Sequence, residues 1–112
     1  MSNFPLSSFT QVGNIFFISG QIGQKDGQLV SDGIVEQTIQ AIFNVKVILK
    51  QKGLGLENVV DVTAFLTDQN DYEEFNDAYR NGFKEPYPSR TTVTVKSLPL
   101  SARVELKVIA AK

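Results

Sequence analysis

The segment 59–66, Val-Val-Asp-Val-Thr-Ala-Phe-Leu, constrains the fold more than any other part of this sequence. Its side chains alternate in character. One face would carry Val60, Val62, Ala64 and Leu66, and the other Asp61, Thr63 and Phe65. Because successive side chains of a strand point to opposite faces of a sheet, the pattern predicts a strand with one buried face. The rest of the chain must therefore supply apolar elements that cover this face.

A segment with helical periodicity precedes this strand. Apolar residues recur at helical spacing as far as about Lys52, at Val35, Ile39, Ile42, Val45 and Leu49. Ser31 or Asp32 is the expected N-cap, and Gly53 is the expected C-terminal stop. The sequence predicts an amphipathic helix here.

A second helical pattern follows the strand. Asn70 or Asp71 would cap it, and it would end before the segment Glu85-Pro-Tyr-Pro88. Its apolar stripe, expected to pack in the core, consists of Tyr72, Phe75, Tyr79 and Phe83. Two helices can therefore cover one face of a sheet.

Four more strands complete the predicted order. Gly13-Asn14 predicts a tight turn between strands 9–12 and 15–19, and a loop over 20–33 leads to the first helix. Strands 91–95 and 103–110 follow the second helix. The order ββαβαββ predicts an α+β fold in which a mixed sheet carries two helices on one face. No linker or repeat divides the chain, so residues 1–112 are expected to form one domain.

The two faces of this sheet should differ. Beneath the helices we expect Val60, Val62, Ala64, Leu66, Val93, Val95, Val104, Leu106 and Val108. The open face would carry Asp61, Thr63, Phe65, Thr92, Thr94, Arg103, Glu105, Lys107 and Ile109. This mixture is compatible with a solvated sheet face or with an interface between subunits, and the pattern alone does not choose.

Composition excludes several kinds of chemistry. The chain has no histidine and no cysteine, which excludes disulfides, thiolate nucleophiles, histidine triads and the usual zinc sites. Its 11 basic and 12 acidic residues are interspersed, which argues against nucleic acid as a main partner. The apolar runs are too short to span a membrane, and Met1-Ser-Asn-Phe-Pro5 has no secretory signal pattern. We therefore expect a cytoplasmic protein with no membrane contact.

Several motifs resemble those of the Rid (YjgF) family, also labelled endoribonuclease L-PSP-like. They are Ile18-Ser-Gly-Gln-Ile22, Phe75-Asn-Asp-Ala-Tyr79, Pro88-Ser-Arg-Thr-Thr-Val-Thr-Val95, Leu98-Pro99 and Val104-Glu-Leu-Lys-Val-Ile-Ala110. The resemblance implies a chorismate-mutase-like fold, a homotrimer and a site between subunits. It also implies an enzyme that hydrolyses 2-aminoacrylate and related 2-imino acids, such as 2-iminobutyrate, to 2-keto acids and ammonia. Neither a cofactor nor a metal is required by this chemistry.

The resemblance assigns roles to six residues. Arg90 would bind the substrate carboxylate, and its planar guanidinium fork matches a carboxylate in a way that lysine cannot. Glu105 would orient the attacking water and assist proton transfer. Ser19, Gly20 and Asn76 would line the pocket, and the Thr92 main-chain carbonyl would help to hold the water.

The chain also departs from the family pattern. Leu6, with Phe4 and Phe9 nearby, occupies a region where many relatives carry a pocket tyrosine, Thr92 replaces a frequent cysteine, and Gly23 replaces a frequent proline. Two alternatives to the deaminase remain open. One is a non-catalytic, carboxylate-binding regulatory trimer, and the other is an endoribonuclease or translation inhibitor.

Overall fold

The computed structural model describes residues 4–112, which form a sheet covered by two helices. The strands are β1 Phe9–Val12, β2 Ile15–Ile22, β3 Gln24–Lys25, β4 Gln28–Leu29, β5 Val59–Leu66, β6 Ser89–Thr94 and β7 Val104–Ala111. The helices are α1 Ile34–Lys50 and α2 Tyr72–Gly82, and short 3₁₀ turns lie at Leu56–Asn58, Gln69–Asp71 and Pro99–Ser101. The predicted α+β architecture is confirmed.

The main sheet has five strands in the order β1-β2-β7-β5-β6. All neighbours pair antiparallel except β5 and β6, which are parallel, so the sheet is mixed. The remaining strands, β3 and β4, form a small hairpin inside the predicted loop. Its turn, Asp26-Gly27, has positive φ at both residues, which is the backbone that such two-residue hairpins require.

Helix α1 begins and ends close to its predicted limits, but its N-cap was predicted wrongly. The N-cap is Gly33, and the Ser31 hydroxyl accepts a hydrogen bond from the Gly33 amide instead of from the helix. At the other end Gly53 has φ +72°, and the Leu54 amide donates to the Leu49 carbonyl. Gly53 therefore ends the helix by the left-handed conformation that the sequence predicted.

Helix α2 follows a 3₁₀ turn rather than a side-chain cap. The Asp68 carboxylate accepts from the Asn70 amide, and the Asp71 side chain caps nothing. The Asp71 carboxylate instead accepts from Arg103 at 3.0 Å. Of the predicted stripe, Phe75, Tyr79 and Phe83 are buried, whereas Tyr72 is 45% exposed. The assignment of Tyr72 to the core was therefore wrong.

The register between β5 and β6 corrects the predicted faces of β6. Val62, Ala64 and Leu66 are buried beneath the helices, and their partners on β6 are Arg90, Thr92 and Thr94. Residues paired across a ladder share a face, so these three side chains lie on the helix side of the sheet. Val93 lies on the open face and is 39% exposed. The sequence could not fix this face, since β6 carries no strong alternation.

Two further face assignments were wrong. Val60 is the extra residue where the β5–β7 register shifts between Val59 and Asp61, and it is 46% exposed. Arg103 precedes β7 and points toward the helices, where its Nε donates to the Asp32 carbonyl at 2.7 Å. A strand bulge and an ion pair, neither visible in the alternation, changed these positions.

One hydrophobic core fills the space between the sheet and the helices. It includes Phe16 and Ile18 of β2, Leu106 and Val108 of β7, and Phe75 of α2. Within residues 4–112 there is no helix with both the length and the apolar character that crossing a membrane demands.

Candidate active site

Arg90 belongs to the edge strand β6, and its guanidinium lies over aromatic rings of helix α2. Its guanidinium carbon is 4.7 Å from the centre of the Tyr79 ring, 5.2 Å from that of Phe75 and 5.9 Å from that of Tyr72. Guanidinium stacks favourably on aromatic faces at these distances. The same helix therefore supplies the platform that orients the arginine.

Two hydrogen bonds fix the rotation of the Arg90 guanidinium. Its Nη2 donates to Asn76 Oδ1 at 2.8 Å and to the Tyr72 hydroxyl at 3.3 Å. No carboxylate among residues 4–112 forms an ion pair with Arg90; the ion pairs in that part of the chain are Arg80–Asp77 and Arg103–Asp71. The positive charge of Arg90 thus lacks an internal counter-ion in the described residues.

A surface cavity of about 330 Å³ opens beside this guanidinium. Its lining consists of Asn76, Tyr79, Arg80, Tyr87, Pro88 and Arg90. Burial raises the pKa of Tyr79 to about 12, so its phenol stays neutral at physiological pH. Because the lining includes Arg80 and Arg90, the cavity is positively charged. Its volume is large enough for a small organic acid.

Thr92 lies two residues beyond Arg90 on the same side of β6. Its hydroxyl oxygen is buried and has no hydrogen-bond partner among the described residues. Because β6 is the edge strand, part of its backbone also lacks a neighbouring strand. Thr92 thus places a buried, unpaired hydroxyl and part of the edge-strand main chain near Arg90.

Glu105, Gly20 and Ser19 form a second cluster, on the other side of the sheet. A Cβ atom placed on Gly20 would lie 1.8 Å from Glu105 Oε2, so the carboxylate tip occupies the space that any side chain at position 20 would need. Ser19 and Gly20 lie where the β2–β7 register shifts between Ile18 and Gln21. The Ser19 hydroxyl donates to the Ser7 carbonyl. This bulge brings the Gly20 backbone against the acid.

The environment of Glu105 favours its neutral form. Partial burial raises the pKa of the Glu105 carboxyl above its ordinary value. A carboxyl tuned in this direction exchanges protons more readily near neutral pH than an unperturbed one. The raised pKa of Glu105 is compatible with a group that takes part in proton transfer.

Arg90 and Glu105 cannot reach one another within one chain. Glu105 pairs with Phe65 on the open face, whereas Arg90 pairs with Val62 on the helix face. Strand β5 also lies between their strands. The structure thus brings together Arg90, Asn76 and Thr92 in one cluster, and Glu105, Gly20 and Ser19 in another.

The sequence did not identify the aromatic residues around Arg90 as functional candidates. For Tyr72, Phe75 and Tyr79 the sequence predicted only core packing. For Tyr87 it predicted only a place in the segment that ends the helix. The helical spacing of the stripe carried the core signal, and only the β6 register places Arg90 on it. No group of three or more metal-ligating side chains comes together within residues 4–112.

Comparison with known proteins decides the family. A family model described as Endoribonuclease L-PSP matches residues 2–112. The chain belongs to this family, which is also called Rid or YjgF. A RutC family protein of Aquifex aeolicus (strain VF5) is 45% identical over 112 residues, which cover 96% of this chain and 89% of that protein. The 2-iminobutanoate/2-iminopropanoate deaminase of Homo sapiens is 40% identical over 108 residues, which cover 95% of this chain and 79% of the human one.

Two solved structures share the whole fold of this chain. RidA from the Antarctic bacterium Psychrobacter sp. PAMC 21119 superposes with a TM-score of 0.94 at 32% identity, covering 100% of this chain and 92% of the other. TdcF of E. coli, solved with bound serine, gives a TM-score of 0.92 at 30% identity, covering 99% and 91%. The Rid architecture expected from the sequence motifs is therefore confirmed.

Proposed function

We propose that this Rid-family chain is a hydrolytic deaminase of 2-imino and 2-enamino acids of the 2-aminoacrylate and 2-iminobutanoate type. The observation that carries the proposal is the Arg90 guanidinium, which lies on aromatic rings, has no ion-pair partner in residues 4–112 and borders a cavity of about 330 Å³. The name of the human relative and the serine bound to TdcF add support, since both concern small molecules related to amino acids.

Arg90 binds the substrate carboxylate in this proposal. A guanidinium presents parallel N–H groups that match the two oxygens of a carboxylate, and a charge without an internal partner favours an anionic ligand. Asn76 acts through Arg90, because its amide oxygen holds Nη2 at 2.8 Å. The cavity then fixes the position of the reacting carbon relative to the carboxylate.

Glu105 orients the attacking water and transfers protons in this proposal. The oxygen of a water molecule bonds to C2 of the imine while the C=N π electrons move to nitrogen. Glu105 accepts a proton from this water and passes it to the nitrogen. Glu105 then carries a second proton from the carbinolamine hydroxyl to the amino nitrogen. The C–N bond breaks with its electron pair going to the nitrogen, ammonia leaves, and the hydroxyl oxygen forms the C=O bond of the ketone. Gly20 and Ser19 shape the space beside the carboxylate, and the Thr92 carbonyl holds the water.

A complete site in this proposal requires two copies of the chain. Arg90 and Glu105 lie on opposite sides of one sheet, so an Arg90 half-site must meet the Glu105 half-site of a second copy. The open face is suited to such contact, because Phe17 and Val93 are 36% and 39% exposed on it. In a closed ring of three copies, every Arg90 half-site meets a Glu105 half-site of a neighbouring copy, and one complete site forms at each interface.

An assay with imine generated in situ tests the deaminase. We expect the wild type to accelerate the loss of 2-aminoacrylate or 2-iminobutanoate, and Arg90→Ala to reduce kcat/KM by a factor of about 10² or more. Arg90→Lys keeps the charge but removes the fork, and we expect a loss of at least about tenfold. Lys50→Ala, which removes a cation at the end of α1, serves as the control. A wild type no faster than buffer would refute the deaminase.

The description of the family model makes RNA cleavage the second candidate. Without histidine, such cleavage would depend on Glu105, lysine or arginine as acid and base. Incubating the wild type and Glu105→Gln with single-stranded RNA separates the two. Cleavage that Glu105→Gln abolishes would favour the nuclease. Tight binding of a keto acid without turnover of any imine would instead favour a regulatory trimer.

A further inference from the structure

The Nη2 atom of Arg90 already has two acceptors. It carries two hydrogens, and the acceptors are Asn76 Oδ1 at 2.8 Å and the Tyr72 hydroxyl oxygen at 3.3 Å. Among residues 4–112, no acceptor is seen at Nη1 or Nε. The Arg90 guanidinium is therefore partly satisfied by its own chain before any ligand binds.

Bidentate binding of a carboxylate conflicts with this arrangement. The planar guanidinium offers two forks, one made by Nη1 with Nη2 and the other by Nε with Nη2. Both forks use Nη2. A carboxylate can therefore take a fork only if one of the two hydrogen bonds made by Nη2 is released.

Tyr72 is the partner that yields most easily. Its hydrogen bond is longer than that of Asn76, and its ring is the most distant of the three around the guanidinium, at 5.9 Å against 4.7 Å for Tyr79. Tyr72 is also 45% exposed, so its side chain can swing outward without opening the core. A hydrogen bond at 3.3 Å is weaker than one at 2.8 Å.

We propose that Tyr72 is a positioning residue that occupies the Arg90 fork in the empty protein and is displaced by the substrate carboxylate. This inference rests on the proposed function, because Arg90 must be the carboxylate-binding group. Tyr72 then sets an affinity limit: each carboxylate bound must replace an internal hydrogen bond, so small acids that make few other contacts bind weakly and leave quickly.

Tyr72 should compete more strongly with the carboxylate for Arg90 at alkaline pH. The hydrogen bond from Asn76 and the nearby Arg90 charge lower the pKa of the Tyr72 phenol below its ordinary value. Once ionised, the phenolate would pair with Arg90 and exclude a carboxylate. The residues that line the cavity on the other side of Tyr72 carry no titratable side chain: Leu66, Gln69, Asn70, Thr92 and Thr94. Burial raises the pKa of Tyr79 beneath Arg90 to about 12. Tyr87 also lines the Arg90 cavity, so only the Tyr72→Phe variant assigns an alkaline fall to Tyr72.

Binding of 2-oxobutanoate, a 2-keto acid product of the proposed reaction, tests this idea. The Kd is measured by calorimetry with the intact wild-type protein and with Tyr72→Phe, Arg90→Ala and Glu73→Gln, the last being a surface control on the same helix. We expect Tyr72→Phe to bind about three- to tenfold more tightly at pH 7, the range given by loss of one competing hydrogen bond. Wild-type affinity should fall as the pH rises through the lowered pKa of Tyr72, and Tyr72→Phe should lose this alkaline fall.

The outcomes separate the two proposals. If Arg90→Ala loses binding but Tyr72→Phe binds equally or less tightly, Tyr72 does not compete and this inference is overturned while the carboxylate role of Arg90 stands. If wild type and Arg90→Ala bind alike, or neither binds, the carboxylate role of Arg90 fails and the Tyr72 role fails with it. An alkaline fall that persists in Tyr72→Phe would also contradict the displacement.

Discussion

At the scale of single residues, the environment of Arg90 explains how its charge is held without an ion-pair partner among residues 4–112. Stacking on aromatic rings contributes roughly 0.5–2 kcal/mol per favourable contact without neutralising the charge. Tyr79, at 4.7 Å, lies closest of the three rings. An aspartate at the same place would pair with the guanidinium and compete with any acid ligand.

Gly20 is predicted to be essential because of the space it leaves. Gly20→Ala would place Cβ 1.8 Å from Glu105 Oε2, so the carboxylate must move. We expect kcat to fall by about 10² while KM changes little, because Arg90 is untouched and proton transfer is lost. Steady-state kinetics, with circular dichroism to confirm folding, measures this. Unchanged kcat would show that Glu105 does not act from its observed position.

The pH dependence of activity should report Glu105. Burial raises the pKa of its carboxyl, and the proposed reaction needs the carboxylate form. We expect kcat/KM to fall as the pH decreases through this raised pKa, and Glu105→Gln to lose both that acid limb and most of the rate. Initial rates across about pH 4.5 to 8 provide the test, with Glu73→Gln as the control. An acid limb preserved in Glu105→Gln would assign it to another group.

The same pKa has a consequence for stability. A raised folded-state pKa means that the folded protein binds this proton more tightly than the unfolded chain does. The resulting stabilisation is present below the ordinary pKa of glutamate and is lost as the pH rises through the folded pKa. Glu105→Gln should therefore flatten the dependence of the free energy of unfolding on pH in that window.

At the scale of elements, Arg103 joins the start of β7 to both helices. Its backbone amide donates to Gln37 of α1, its Nε to the Asp32 carbonyl, and its Nη1 to Asp71 just before α2. Asp71 is 8% exposed, so this acid depends on Arg103 for compensation. These bonds hold α2 in place, and with it the aromatic rings of Phe75 and Tyr79 beneath Arg90.

Removing Arg103 should therefore destabilise the fold more than removing an exposed arginine. We expect Arg103→Ala to lower the free energy of unfolding by about 2 kcal/mol, because charged hydrogen bonds are lost and Asp71 stays buried. Arg80→Ala is the matched control: its ion pair with Asp77 is exposed at both ends and should contribute less than about 0.5 kcal/mol. Urea unfolding compares them, and equal losses would contradict this role of Arg103.

At the scale of the whole molecule, the proposed enzyme depends on assembly. Val93 lies on the open face opposite Phe65. Val93→Glu would bury a charge at the proposed interface, which costs several kcal/mol. We expect dissociation into monomers and loss of deaminase activity, with the fold preserved.

Val47→Glu provides the matched control, because Val47 is 43% exposed on the outer side of α1. Analytical ultracentrifugation measures the mass, and circular dichroism verifies the fold. An active monomer produced by Val93→Glu would show that one chain suffices and would refute the shared site.

The sequence by itself determined the elements and the chemical inventory. The alternation of 59–66 and the apolar spacing of α1 produced the correct strand and helix, because those patterns follow from local backbone geometry. The lack of histidine and cysteine limited the chemistry, and the motifs around Arg90 and Glu105 identified the family.

Tertiary structure alone decided the faces of β6 and the positions of Val60 and Arg103. The parallel register of β5 and β6 placed Arg90 on the aromatic stripe of α2, and a bulge moved Val60 outward. A register shift of one residue reverses every side chain of a strand, so strands with weak alternation, such as β6, cannot be oriented from sequence. For the same reason, the separation of Arg90 from Glu105 by the sheet became visible only once the chain was folded.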